Sequence, residues 1–333
     1  MQEGWERLHA QLPLDMAALA TLLTPALPGY ALLHAEALTG GLANTNYTVT
    51  LAGLDTPVVV RVYTREPEAC ARERALYTLV RERVLVPDCL YTGTTPDGRP
   101  YMVSRWIEGA KLDALLPTLT GDALEAVSRA VGATLARIGE YRFPRWGFFG
   151  PDLAIATPVG DSRQVTVGYI EEALFSAPAT ARLEPALQGR VWTLVRENAA
   201  LLDAIPDDAR LVHSDYKAQN LLVRPTATGG WEVAALDWEF ALAATPLIDL
   251  GILLRYAERL DPVFERGVIA GYLATGGQLP ADWKRMTKLL DLMNLCGFLA
   301  RPEPQERMIA DVTRLLVATV AGWGSYGRER YGY

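Results

Sequence analysis

Cysteine is scarce in this chain: three residues in 333, Cys70, Cys89 and Cys296, too few and too far apart for a disulfide framework or a cysteine metal site. They suit free thiols in a reducing compartment. No uninterrupted apolar run is long enough to cross a bilayer. The densest, Leu289 to Ala300, is broken by Asp291 and Asn294 and reads as a core helix. The opening residues, Met1-Gln2-Glu3-Gly4-Trp5-Glu6-Arg7, lack the charged and apolar regions of an export signal, so a cytoplasmic location away from membranes is expected. Basic blocks are missing too. With a formal net charge of −7, nucleic acid is not the expected partner. Repeats and low-complexity tracts are absent, and nothing sets an oligomeric state. What is present is a chain with 50% hydrophobic and 21% charged residues, enough for two modest cores.

The most informative stretch is His213-Ser214-Asp215-Tyr216-Lys217-Ala218-Gln219-Asn220, followed by Leu236-Asp237-Trp238-Glu239. It reads strand, loop, strand. Arg210-Leu211-Val212 leads in, Leu221-Leu222-Val223 leaves, and a turn at Gly229-Gly230 precedes Trp231 to Leu236. An acid that can orient a hydroxyl, an amide oxygen and a second acid follow in the order a Mg-ATP phosphotransferase uses. Phosphoryl transfer relies on positioning and charge neutralisation, so few side chains suffice and their spacing carries the signal. Hard oxygen donors such as Asn220 and Asp237 suit Mg²⁺, which is completed by waters and substrate phosphates.

This arrangement resembles the catalytic core of the protein-kinase-like fold, in particular the aminoglycoside phosphotransferase and choline kinase branch. The resemblance implies that Asp215 orients or accepts the proton of the acceptor hydroxyl and that Asn220 and Asp237 bind metal. Lys217 would stabilise the moving phosphoryl charge. His213 and Asp249 would support the loop, Asp249 from the start of a helix. Upstream, Leu38-Thr39-Gly40-Gly41-Leu42-Ala43-Asn44 resembles the family's nucleotide loop, where Gly40 and Gly41 let the backbone approach phosphate and Asn44 can bond it. Tyr47, Val49 and Leu51 alternate on the strand that follows. In Pro57 to Tyr63, Arg61 stands where the family places the basic residue that grips the nucleotide phosphates, with Glu73 of the next helix as its ion-pair partner. Asp97-Gly98 marks a hairpin turn. Ser104-Arg105-Trp106-Ile107-Glu108-Gly109 resembles the interlobe hinge that recognises adenine through backbone groups, which nominates Ser104 and Trp106.

Beyond Lys111 the chain reads as mainly helical. Leu124, Val127, Val131, Leu135 and Ile138 keep helical spacing, Asp261-Pro262 opens another helix, and Met308 to Val320 carries a last apolar face. Trp146 to Phe149, Glu171-Glu172 and Asp237-Trp238-Glu239-Phe240 are candidate walls for an acceptor pocket. The expected fold is α+β and bilobal: a nucleotide-binding lobe over 1–103 with an antiparallel sheet, a hinge at 104–109, and a helical catalytic and substrate lobe over 110–333. The expected activity is transfer of the γ-phosphoryl group of ATP, or of GTP, to a hydroxyl of a small molecule, with Mg²⁺. A silent nucleotide-binding module would bind without turnover. A protein kinase is the enzymatic alternative, but the chain lacks a Gly-x-Gly-x-x-Gly loop, an Asp-Phe-Gly triplet, an Ala-Pro-Glu triplet and room for an activation segment between Asp237 and Asp249.

Overall fold

The structure, a computed structural model, describes residues 5, 11–38, 44–160, 162–303 and 305–327. Its first part is a five-stranded antiparallel sheet with one helix on each face. Helix α1 (Met16–Leu23), capped by the Asp15 carboxylate on the Ala18 N–H, precedes β1 (Leu32–Ala37), β2 (Thr45–Leu51) and β3 (Val58–Val62). Helix α2 (Ala69–Val80) and the hairpin β4 (Cys89–Thr94), β5 (Pro100–Arg105) complete it. The strand order is β1-β2-β3-β5-β4, which makes β3 the central strand. Period-two alternation sorts the side chains. Val58, Val60 and Val62 join Tyr47, Val49, Leu51, Tyr101 and Val103 beneath Leu19, Leu22 and Leu23 of α1. The opposite face, carrying Met102, packs with Leu76 and Tyr77 of α2. Arg61 lies between two inward valines, so its side chain is delivered to the α2 face and the second half of the chain.

That second half starts with the short strand β6 (Ala110–Lys111), α3 (Leu112–Leu115) and α4 (Gly121–Ile138). Strands β7 (Gly147–Phe149) and β8 (Ile155–Pro158) then lead to α5 (Ser162–Leu174), α6 (Ala177–Arg182) and α7 (Pro185–Asn198). Four further strands follow, β9 (Arg210–Val212), β10 (Leu221–Pro225), β11 (Trp231–Ala235) and β12 (Leu242–Ala244), before α8 (Leu247–Leu253), α9 (Pro262–Ala274), α10 (Trp283–Leu299) and α11 (Glu306–Gly322). The hairpin β10–β11 takes β6 as a third strand, and β9 pairs β12, so the loops 213–220 and 236–241 emerge side by side. The Leu236 N–H donates to the Asn220 carbonyl at 2.9 Å and ties those two loops together.

Helix α10 is buried around most of its circumference, Met286, Leu289, Leu290, Leu292, Leu295 and Leu299 included, and α5, α8 and α11 pack on it. Helices α4 and α9 cross more closely than any large side chain would allow. A Cβ at Gly132 would sit 1.9 Å from the Val268 carbonyl oxygen, and one at Gly271 would sit 2.0 Å from that of Arg129. Among the described residues, no helix is long and apolar enough to cross a membrane.

Candidate active site

The 213–220 loop is held from below by a carboxylate. Asp249, fully buried in the first turn of α8, accepts the His213 N–H through Oδ2 and the Ser214 N–H through Oδ1, each at 2.8 Å. Burial pushes its carboxyl up to about 7, while the amides of His213, Ser214 and Tyr216 pull the other way. Ser214 takes a left-handed φ of 63°, a conformation that costs a residue with a Cβ about 1–2 kcal/mol and so needs those bonds. The buried His213 ring accepts the Asp215 N–H at Nδ1 (3.3 Å), which leaves Nε2 to donate to the Leu236 carbonyl at 3.0 Å. Acceptance at Nδ1 requires a neutral imidazole, and burial lowers its pKa to about 4. The Tyr216 hydroxyl anchors the loop to α4 by donating to the Val131 carbonyl at 2.9 Å.

These supports fix Asp215. Its Oδ2 accepts from Asn220 Nδ2 at 2.7 Å and lies 2.9 Å from Lys217 Nζ, so Oδ1 is the oxygen without a protein donor among the described residues. Burial raises the Asp215 pKa, against the pull of Lys217. Because Asn220 donates through Nδ2, its amide oxygen is left over. Asp237, at φ 68°, engages Arg61 through Oδ1 and keeps Oδ2. Burial works to raise the Asp237 pKa, but Arg61 beside it brings the net shift down, so it is a carboxylate. Two hard oxygens on adjacent loops fit Mg²⁺, which takes few protein ligands and is completed by water and phosphate. Among the described residues no group of three or more His, Cys, Asp or Glu could hold a metal, so a self-contained protein cage is not the alternative.

Arg61 sits among three carboxylates. Its Nη2 lies 2.5 Å from Asp237 Oδ1 and 3.8 Å from Glu239 Oε2, and its Nε lies 3.4 Å from Glu73 Oε2. Glu73 is fully buried; Oε1 accepts from the Tyr77 hydroxyl at 2.7 Å and the Trp238 N–H at 3.2 Å, and Oε2 from the Tyr63 hydroxyl. A surface role for Glu73 is ruled out by this geometry.

Asn44 is buried. Its Nδ2 donates to Glu239 Oε2 at 2.8 Å and its Oδ1 accepts the Thr64 N–H at 3.2 Å. Gly40 and Gly41 lie outside the described residues. Ser104 is buried in β5, opposite Val59 and Cys89, and the Trp106 N–H donates to the Pro57 carbonyl at 3.3 Å. The amides of Arg105 and Trp106 are thus already held, by Asp88 and Pro57.

The candidate acceptor walls fare unevenly. Trp238 is core, fully buried with its indole N–H on the Ala235 carbonyl, Trp146 is buried, and Glu171 and Glu172 are exposed on α5. Glu239 turns inward to Arg61 and Asn44, with burial raising its pKa to about 7. Tyr63, Tyr77 and Glu239 complete the Arg61 network, and the sequence marked none of them for that part: two read as ordinary strand and helix aromatics.

Residues 34–289 match the family model of the phosphotransferase enzyme family APH. The chain belongs to that family. Among curated proteins it is 28% identical over 182 residues to the N-acetylmuramate/N-acetylglucosamine kinase of Caulobacter vibrioides, a match that spans 54% of this chain and less than half, 46%, of that protein. Among solved structures, the GDP complex of wild-type aminoglycoside 2'-phosphotransferase-IIIa superposes with a TM-score of 0.71 at 17% identity, covering 93% of this chain and 99% of the other. Aminoglycoside phosphotransferase APH(4)-Ia superposes with a TM-score of 0.67 at 15% identity, covering 96% and 100%. The kinase-like fold of this family member follows from both.

Proposed function

We propose that this protein transfers the γ-phosphoryl group of a Mg²⁺-bound purine nucleoside triphosphate to a hydroxyl of a small molecule. The carrying observation is Asp215: one carboxylate oxygen is immobilised by Asn220 and Lys217, and the other is left for an incoming hydroxyl. A carboxylate with a raised pKa, held still, can orient that hydroxyl and take its proton as the oxygen attacks phosphorus. Lys217, already on Asp215, is within reach of charge building on the transferred group. Asn220 and Asp237 would hold Mg²⁺, which when bound neutralises the nucleotide's phosphate charge. Arg61, braced by Glu73 and Glu239, offers its guanidinium to the phosphates. Residues 1–103 serve as the nucleotide lobe, 104–109 as the hinge and 110–333 as the catalytic and substrate lobe. With the Arg105 and Trp106 amides held, base recognition by the hinge falls to the Ile107 amide and to carbonyls of 104–107.

The family, a relative named for phosphorylating amino sugars, and neighbours bound to GDP with kanamycin or to AMP-PNP with hygromycin B support a nucleotide and a hydroxylated small molecule as the two substrates. Mass gain across a panel of sugars, amino sugars, hydroxy acids, choline, aminoglycosides and macrolides, with ATP and with GTP, tests the reading. A product made by wild type and lost in Asp215→Asn is expected. Mg-dependent nucleotide binding without any product would instead indicate a silent nucleotide-binding module, and preferential labelling of protein substrates a protein kinase.

A further inference from the structure

Beside the catalytic loop a pocket opens between Lys217, Gln219, Leu116, Arg255, Tyr256 and Phe264. Lys217 ties it to the chemistry, because its Nζ lies 2.9 Å from Asp215 Oδ2. Arg255, which borders the same pocket, is only 4% exposed. Asp291 holds it: Nε donates to the two carboxylate oxygens at 3.1 and 3.0 Å, and Nη2 donates to Oδ1 at 2.6 Å. The guanidinium also lies over the Phe298 ring, 5.7 Å from its centroid. These bonds use Nε and Nη2 and leave Nη1 without a partner among the described residues.

Gln219 is in the same position. Its side-chain amide is half-buried and makes no hydrogen bond to a described residue. The Tyr256 hydroxyl, by contrast, is taken by Asp311 at 2.5 Å. Among the described residues no acid borders the pocket, and its other walls are apolar. The space therefore offers N–H donors and no carboxylate. A nearly buried guanidinium nitrogen whose N–H groups meet nothing is costly until an acceptor arrives. Because Asp291 already fixes the fork, little freedom is lost when an oxygen binds it. An ammonium in the same place would meet Arg255 and Lys217 with like charge and find no carboxylate to pair with.

We infer that this pocket takes the part of the acceptor next to its reactive hydroxyl, and that the group it takes bears oxygen. A hydroxyl, carbonyl or carboxylate would be bonded there by Arg255 Nη1 and the Gln219 amide; an ammonium would be turned away. Lys217 touches Asp215 and borders the pocket, so a compound whose hydroxyl meets Asp215 Oδ1 can place its neighbouring substituent past Lys217. This rests on the phosphotransfer reading above and narrows its acceptor class. Arg255 and Gln219 set specificity and take no part in the proton transfer.

The test measures kcat/KM across matched compounds that differ in the one substituent next to a hydroxyl: hydroxyl, acetamido, carboxylate, hydrogen or ammonium. Glucose, N-acetylglucosamine, 2-deoxyglucose and glucosamine form one such set, with hydroxy acids and amino alcohols alongside. The best oxygen-bearing member is expected to exceed its hydrogen and ammonium counterparts by about tenfold or more, since a site built to bond an oxygen rejects the compound that lacks it. Arg255→Lys keeps a cation for Asp291 but removes Nη1, and should lower that ratio several-fold, chiefly through KM. Gln219→Ala should lower it too, and Gln219→Glu should turn the preference towards ammonium-bearing acceptors. The Gln219 side chain has no hydrogen bond to lose among the described residues, so its variants report even where Arg255→Lys folds poorly. Wild type that uses the hydrogen or ammonium members as well as the oxygen-bearing ones, or a ratio that none of the three variants changes, overturns the inference and leaves the kinase reading intact. Phosphorylation of no member of any set, with Mg-nucleotide binding retained, overturns both.

Discussion

Gly271→Ala is a test of the frame on which the catalytic loop is mounted. In most helices this change stabilises, because alanine has the better helix propensity by about 1 kcal/mol. Here the new methyl would lie 2.0 Å from the Arg129 carbonyl oxygen and 2.7 Å from its carbon, where ordinary contact starts at 3.4 Å. Both obstacles are backbone, so no side-chain rotation relieves them and α9 must move off α4 by more than 1 Å. Overpacking of this kind costs about 1–3 kcal/mol, and a rigid obstacle belongs at the upper end. Net of the propensity gain, a loss of about 2 kcal/mol is expected. The control is Gly189→Ala on α7, where a Cβ meets nothing within 4 Å and a gain of about 0.5–1 kcal/mol is expected. Denaturant titrations followed by circular dichroism measure both. Because Tyr216 is tied to Val131 beside Gly132 on α4, the same variant should also lower turnover. A Gly271→Ala protein as stable as wild type would show that the two helices do not meet at this crossing, and would refute the reasoning.

Three further outcomes are expected. Asp249→Ala leaves the buried amides of His213 and Ser214 without their acceptor, at about 1–3 kcal/mol each, and should raise hydrogen exchange at residues 213–216 along with a loss of turnover. Arg61→Met removes the cation shared by Glu73, Asp237 and Glu239; a destabilisation of about 3 kcal/mol and weaker nucleotide binding should follow, read by thermal melting and calorimetry. His213 has a folded pKa of about 4 against 6.5 when unfolded, so the unfolded chain takes up its proton first. Its contribution to stability is whole above pH 6.5 and is lost as pH falls towards 4, by about 3 kcal/mol. Wild type should therefore lose stability more steeply than His213→Asn over that range in paired denaturation curves.

Much of this protein was legible in the chain. Alternation in residues 46–51 placed a strand, Asp97-Gly98 a hairpin, and Leu124 to Ile138 a helix, because each signal is local and repeats with the period of its element. The order Asp215, Asn220, Asp237 pointed to phosphoryl-transfer chemistry, and the structure sets the three on two loops joined by the Leu236 N–H on the Asn220 carbonyl. Tertiary structure decided the rest. Nothing local distinguishes Gly132 and Gly271 from helix-weakening glycines until two helices cross at them. Glu239 read as an acceptor wall because it belongs to an acidic and aromatic run; it turns inward because Asn44, just before β2, and Arg61 of β3 wait there. Local pattern sets which groups the backbone can present. Which charges are matched and which are left over depends on contacts between segments far apart in sequence, and these no period encodes.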